Sequence, residues 1–186
     1  MIQKRTALTR FFKYVLQLKC VKRAGWISKV RINNSESVAD HTYSMCAISM
    51  VLSDMSGLDT EKVMKMVILH DLTESIIGDY IPGEVTKKQK RLQEKKAMKS
   101  ILNCLPLNVR SDYEKIWQEY FLNKTDVARF VHRTDKLEML LQAKQYTEQG
   151  YSPRLLGQFF KSANKSLNID TKHDFMDAIL KMLQIG

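Results

Sequence analysis

Apolar positions recur every three to four residues along most of this chain, the period of helices with one buried face. The pattern predicts helices over 8–19, from about Ser37 to just before Gly57, and from Asp59-Thr60 past His70 to Gly78. Further helices are predicted over 85–103, 109–122, 126–148, 152–163 and 171–184. Ser37 and Asp40 have the spacing of a capping box at the second helix. Gly150 is placed to terminate the long helix, and Ile81-Pro82-Gly83 reads as a turn. No series of alternating strands is visible, and 7 Gly and 3 Pro are few for a turn-rich β fold. The expectation is an all-α, compact bundle forming one domain over 1–186, long enough to bury a core.

Three of these helices place ionisable residues on their apolar faces. At 100° per residue, Val38, His41, Met45, Ile48, Leu52 and Met55 fall on one stripe, so His41 points inward. Val63, Met66, Val67, His70, Glu74 and Ile77 share the next face, with Asp71 on its flank. Asp135 lies at the edge of the face formed by Phe130, Val131, Leu137 and Leu141. Buried groups of this kind are costly unless something pairs with them.

Composition narrows the setting. No apolar run reaches the roughly 18 residues of a bilayer span, and 1–10 carries charge without the apolar core of a secretory signal. Cys20, Cys46 and Cys104 are widely spaced and form no C-x-x-C pair, which speaks against a disulfide framework or zinc ribbon and for a reducing compartment. The reading is a soluble cytoplasmic domain with no membrane partner. A net charge of +10 favours anionic partners. Seven Lys/Arg against the single acid Glu94 crowd 87–99, either a solvated helix face or a phosphate-attracting rim. No aromatics interleave with that run, which speaks against nucleic acid.

Taken singly, each inward polar residue has an ordinary explanation. A lone inward His such as His41 is commonly a hydrogen-bonded core residue. A His-Asp pair is weak evidence, since a second stands at His173-Asp174, read as surface. Glu74 could face a buried cation, and Asp135 could pair with Arg133 or Lys136. Together, two imidazoles and two carboxylates form a mixed donor set suited to Mn²⁺, Co²⁺, Fe²⁺, Zn²⁺ or Ni²⁺. Mg²⁺ would fit less comfortably, preferring oxygen and keeping its waters.

The order His41, His70-Asp71, Asp135 resembles the HD-domain metal-dependent phosphohydrolase superfamily. Glu36-Ser37-Val38-Ala39-Asp40-His41 is similar to the E-S-V-x-[DE]-H segment of its 5′-deoxynucleotidase branch. The stretch from His70-Asp71 through Glu74, Gly78-Asp79 and Pro82 resembles that branch's H-D-x-x-E-x-x-x-G-D-x-x-P. Thr134-Asp135-Lys136-Leu137-Glu138 resembles its final-aspartate helix, and Arg23-Ala24-Gly25-Trp26 matches an R-x-G-W element of eukaryotic and archaeal members. The likeness covers about 11–151. It departs from bacterial members, whose Arg and Trp are adjacent.

The resemblance implies an all-α HD-domain bundle with the metal site between core helices. His41, His70, Asp71 and Asp135 would hold one divalent ion. Glu74 would be the general acid/base, and Asp79 would sit behind the ligands or assist the water. Arg23 would hold the substrate phosphate, and Trp26 would pack on the nucleoside and exclude the wrong sugar. The implied reaction is hydrolysis of (deoxy)nucleoside 5′-monophosphates to nucleoside and phosphate, by a homodimer. The exposed apolar pair Phe159 and Phe160 is a candidate dimer contact. Alternatives are a relative acting on a dNTP, a cyclic nucleotide or an alarmone, and an inactive nucleotide-binding protein. The short chain argues against the dNTP enzyme, and the intact ligand set with Glu74 against a decayed site.

Overall fold

The computed structural model describes residues 2–81 and 83–167, so the helix expected over 171–184 and the pair His173-Asp174 lie outside the described residues. The described residues are all-α: α1 (Ile2–Gln17), α2 (Ala24–Val30), α3 (Val38–Ser56), α4 (Thr60–His70), α5 (Glu74–Ile77), α6 (Lys87–Leu102), α7 (Leu107–Leu122), α8 (Asp126–Glu148) and α9 (Pro153–Leu167). The one β-type contact among them is an isolated bridge, Lys22 with Ser37.

Local chemistry sets the ends of the central helices. The Ser37 hydroxyl accepts from the Asp40 N–H, and the Asp40 carboxylate accepts from the Ser37 N–H, completing the expected capping box of α3. Gly57 closes that helix at φ +66°, a left-handed conformation that suits glycine. The Asp59 and Thr125 side chains cap α4 and α8. The short connection over 57–59 folds α3 and α4 into a hairpin. α8 packs across both, and α9 returns along α8.

Met45, Leu52, Val63, Met66, Val67, Phe130, Leu137 and Leu140 form the core between α3, α4 and α8. Full burial of each such side chain stabilises the fold by about 1.5–3 kcal/mol. The middle of each expected stripe meets here, while Val38 packs in a second cluster with Leu69 and Leu72, Ile77 is half-buried and Met55 is 66% exposed. Met55 lies off the buried face of α3, which in that last turn is carried by Ser53, 0% exposed.

Two other expectations need correction. The helix expected to run from Asp59 to Gly78 stops at His70: Asp71 leaves helical geometry at φ −106°, ψ 10°. A tight turn then leads into the single-turn α5. An unbroken helix would set the His70 and Asp71 side chains 100° apart about its axis. With the break, Asp71 Oδ2 comes within 3.0 Å of His70 Nε2. Secondly, Phe159 and Phe160 are not an exposed pair. Phe159 is 8% exposed and stacks against Trp26 with ring centroids 4.2 Å apart, and Phe160 is half-buried. The missed helix α2 supplies the apolar partner that covers Phe159.

Candidate metal centre

His41 projects from the first turn of α3 into the core and is fully buried. Its Nδ1 lies 2.5 Å from Glu138 Oε2 on α8. A carboxylate accepts, so Nδ1 carries a hydrogen, and Nε2 is the ring atom turned toward the rest of the cluster. His70, at the end of α4, repeats the arrangement with a different partner: its Nδ1 is 2.6 Å from the Val67 carbonyl, which can only accept. Both Nε2 atoms are buried, and among the described residues neither has a hydrogen-bond partner. Two orphaned imidazole nitrogens in one interior would be costly in a purely structural role.

Carboxylates complete the cluster. His41, His70 and Asp71 present donor atoms within 4.8 Å of one another. Asp71 Oδ2 is 3.8 Å from His41 Nε2. Asp135, from the middle of α8, brings Oδ1 to 3.4 Å from the same Nε2. Donors bound at about 2.0–2.2 Å to a tetrahedral or octahedral ion stand roughly 3.0–3.5 Å apart, close to these separations. The residues therefore fit a divalent ion, and the donor set fits a transition metal.

The electrostatics agree with the geometry. Burial alone would raise the Asp71 carboxyl, but His70, Arg23 and His41 outweigh it and hold the group well below the usual range. Asp135 is likewise held down against burial by Lys136 and His41, with Lys136 Nζ 2.8 Å from its Oδ2. Burial and Arg23 depress His41, yet Asp135 and Glu138 push it up to about 10. A field that draws a proton to this ring also draws a metal cation, and a bound ion takes the place of that proton.

Glu74 lies 4% exposed, with Oε2 lacking a partner among the described residues. Burial, with Asp71 and Asp79 nearby, pushes its carboxyl well above the ordinary value. A carboxyl raised in this way is suited to exchanging a proton with a reacting group. Asp79 is raised by burial, and its Oδ2 accepts the Ala24 N–H at 2.8 Å. Arg23 reaches Asp71 Oδ2 at 3.4 Å. Burial would lower its guanidinium, but Asp71, Asp79 and Asp135 raise it, so its charge is secure.

Trp26, expected to pack on a nucleoside, lies in the wall of the cavity over the cluster. It is 2% exposed, its Nε1–H donates to Glu36 Oε1 at 2.8 Å, and Tyr146 and Phe159 hold its ring. The indole is also a core residue of the α2–α9 contact.

That cavity, about 370 Å³, opens over the cluster and is lined by Arg23, Trp26, His70, Asp71, Glu74, Asp79 and Asp135. Its wall also includes Lys90 and Glu94, from the run read as a solvated face or a phosphate-attracting rim, and Lys29, Tyr120, His132, Lys136 and Met139, which were not expected from sequence as site residues. Lys136 and Glu138 flank Asp135 in the quoted motif, and that proximity was the available signal. Tyr120 and His132 stack on each other at 4.1 Å, and Tyr120 meets His70 edge-on. Nothing in their local sequence marks this long-range contact. From the basic run over 87–99, Lys90 reaches the cavity, while Arg91 and Lys95 lie over the Phe121 ring instead. No helix among the described residues is long and apolar enough to cross a membrane.

Residues 15–173 match the HD domain family. The chain is 34% identical over 163 residues to human 5′-deoxynucleotidase HDDC2, covering 87% of this chain and 79% of that protein. It is 40% identical over 147 residues to 5′-deoxynucleotidase HDDC2 of Dictyostelium discoideum, covering 75% and 77%. Among solved structures, a conserved hypothetical protein from Pyrococcus furiosus superposes with a TM-score of 0.75 at 28% identity, over 96% of this chain and 99% of that one.

Proposed function

This chain belongs to the HD-domain family, and on that footing we propose that it is a metal-dependent phosphohydrolase converting nucleoside 5′-monophosphates, deoxynucleotides foremost, to nucleoside and phosphate. The observation that carries the reading is the pair of buried, orphaned Nε2 atoms of His41 and His70 facing the Asp71 carboxylate. The 5′-deoxynucleotidase relatives supply the substrate class.

In this reading His41, His70, Asp71 and Asp135 hold the ion. Mn²⁺ or Co²⁺ matches two imidazoles better than Mg²⁺. A divalent ion held by these residues would lower the pKa of a water and offset negative charge on the phosphoryl group. Arg23 offers a planar fork to two phosphate oxygens. Glu74 takes the proton of the attacking water and returns it to the departing 5′ oxygen as the P–O bond breaks. Protons therefore balance, and the nucleoside leaves as a neutral alcohol. Asp79 holds the start of α2, and with it Arg23. Lys136 shields Asp135, keeping its second oxygen engaged.

The same reading takes 1–186 as one domain acting in the cytoplasm as a homodimer, through a surface other than Phe159 and Phe160. The test is phosphate release from dNMPs, NMPs, dNTPs and cyclic nucleotides after chelation, with Mn²⁺, Co²⁺ or Mg²⁺ restored. Metal-dependent release that is fastest from dNMPs is expected. Release only from another ester would replace the substrate, and no metal dependence would overturn the site.

A further inference from the structure

Glu138 has no part in the chemistry above, yet at 2% exposure it is more buried than Glu74 or Asp135. It lies one turn beyond Asp135 on α8, so the two acids meet the His41 ring at its two nitrogens. Asp135 Oδ1 stands 3.4 Å from Nε2, and Glu138 Oε2 2.5 Å from Nδ1. A neutral imidazole has two tautomers of similar energy, and only one leaves Nε2 free to ligate. A carboxylate at Nδ1 selects that one, fixes the ring's rotation and makes Nε2 more basic.

A second acid stands close behind Glu138. Glu36, His41 and Glu138 offer donor and acceptor atoms within 4.8 Å of one another. Glu36 Oε1 takes the Trp26 indole N–H, and the Glu36 backbone N–H donates to Tyr146 Oη at 2.9 Å. Trp26, in the cavity wall, is thus bonded to Glu36, and Glu36 stands within 4.8 Å of both Glu138 and His41.

We propose that Glu138 is a positioning residue for the metal centre, locking His41 as the Nδ1–H tautomer with its Nε2 lone pair turned to the ion. It touches neither ion nor substrate and acts only through His41. The inference rests on the reading of His41 as a ligand. A merely structural Glu138 would affect folding and leave metal affinity unchanged, which separates the two roles.

The test compares Co²⁺ binding to the full chain and to Glu138→Gln by calorimetry and by the cobalt absorption bands. A dissociation constant raised about 10–100-fold in the variant is expected. Equal affinity overturns the role of Glu138 alone. A wild-type chain that takes up no Co²⁺ overturns the metal reading and this inference with it. Should Glu138→Gln not fold, ¹⁵N NMR of the histidine rings in the Zn²⁺-loaded wild type decides. Hydrogen at His41 Nδ1 with metal at Nε2 supports the proposal, and the reverse assignment overturns it.

Discussion

Asp79 Oδ2 accepts the backbone N–H of Ala24 at 2.8 Å, so a residue 55 positions away caps α2, whose own N-cap residue, Arg23, makes no capping bond. This contact ties the segment after α5 to the first turn of α2 and fixes the backbone from which Arg23 reaches Asp71. Asp79→Ala is expected to lose about 1 kcal/mol of stability, the worth of a good cap. KM for a dNMP should rise at the same time. Asp79→Asn keeps an acceptor and should retain most of both. Urea titration and steady-state kinetics read the two effects, and an unchanged KM in Asp79→Ala would detach Asp79 from substrate binding.

Arg23→Ala removes a charged donor from the cavity. A hydrogen bond of that kind is worth about 1.5–3 kcal/mol, so kcat/KM should fall roughly 10–100-fold. Arg23→Lys should recover little of it, because an ammonium cannot grip two oxygens in one plane. Full rescue by Lys would show that charge alone matters here.

Glu74→Gln preserves volume and removes the exchangeable proton. Turnover should drop about 10²–10⁴-fold, while the metal content of the protein stays that of the wild type. Elemental analysis of the purified variant checks the second half. Loss of metal with activity would place Glu74 among the ligands.

Glu36 titrates in an environment that matters for stability. Burial first, then Glu138, raises its carboxyl to about 7, against the opposing hydrogen bond from Trp26. In the unfolded chain the group titrates near 4.5. Between these values the folded state binds more protons than the unfolded one, so Glu36 makes stability fall as pH rises from about 4.5 to 7 and has no further effect above. Glu36→Gln keeps an oxygen for the Trp26 N–H and should flatten that slope. Unfolding free energies at pH 5 and pH 8 measure it, and an undiminished slope in the variant would assign the dependence elsewhere.

Trp26→Ala should destabilise the fold by about 3–5 kcal/mol, as truncation of a buried aromatic does. Thermal unfolding reads this directly. A near-neutral effect would show that the indole contributes little to the core.

Helical periodicity alone placed His41, His70 and Asp135 toward the interior, because the side chains of one helix face share one environment whatever covers them. The Ser37–Asp40 box and the Gly57 stop were equally legible, being contacts within a few residues. The spacing of His41, His70-Asp71 and Asp135, together with Glu74, carried the resemblance to the family. Periodicity reports which face is buried and not what that face meets. Only the tertiary structure could set Glu138 against His41, 97 residues apart, Asp79 against Ala24, and Phe159 over Trp26. It also decided the break at Asp71, which brings that carboxylate beside His70 Nε2, where an unbroken helix would hold the two side chains 100° apart.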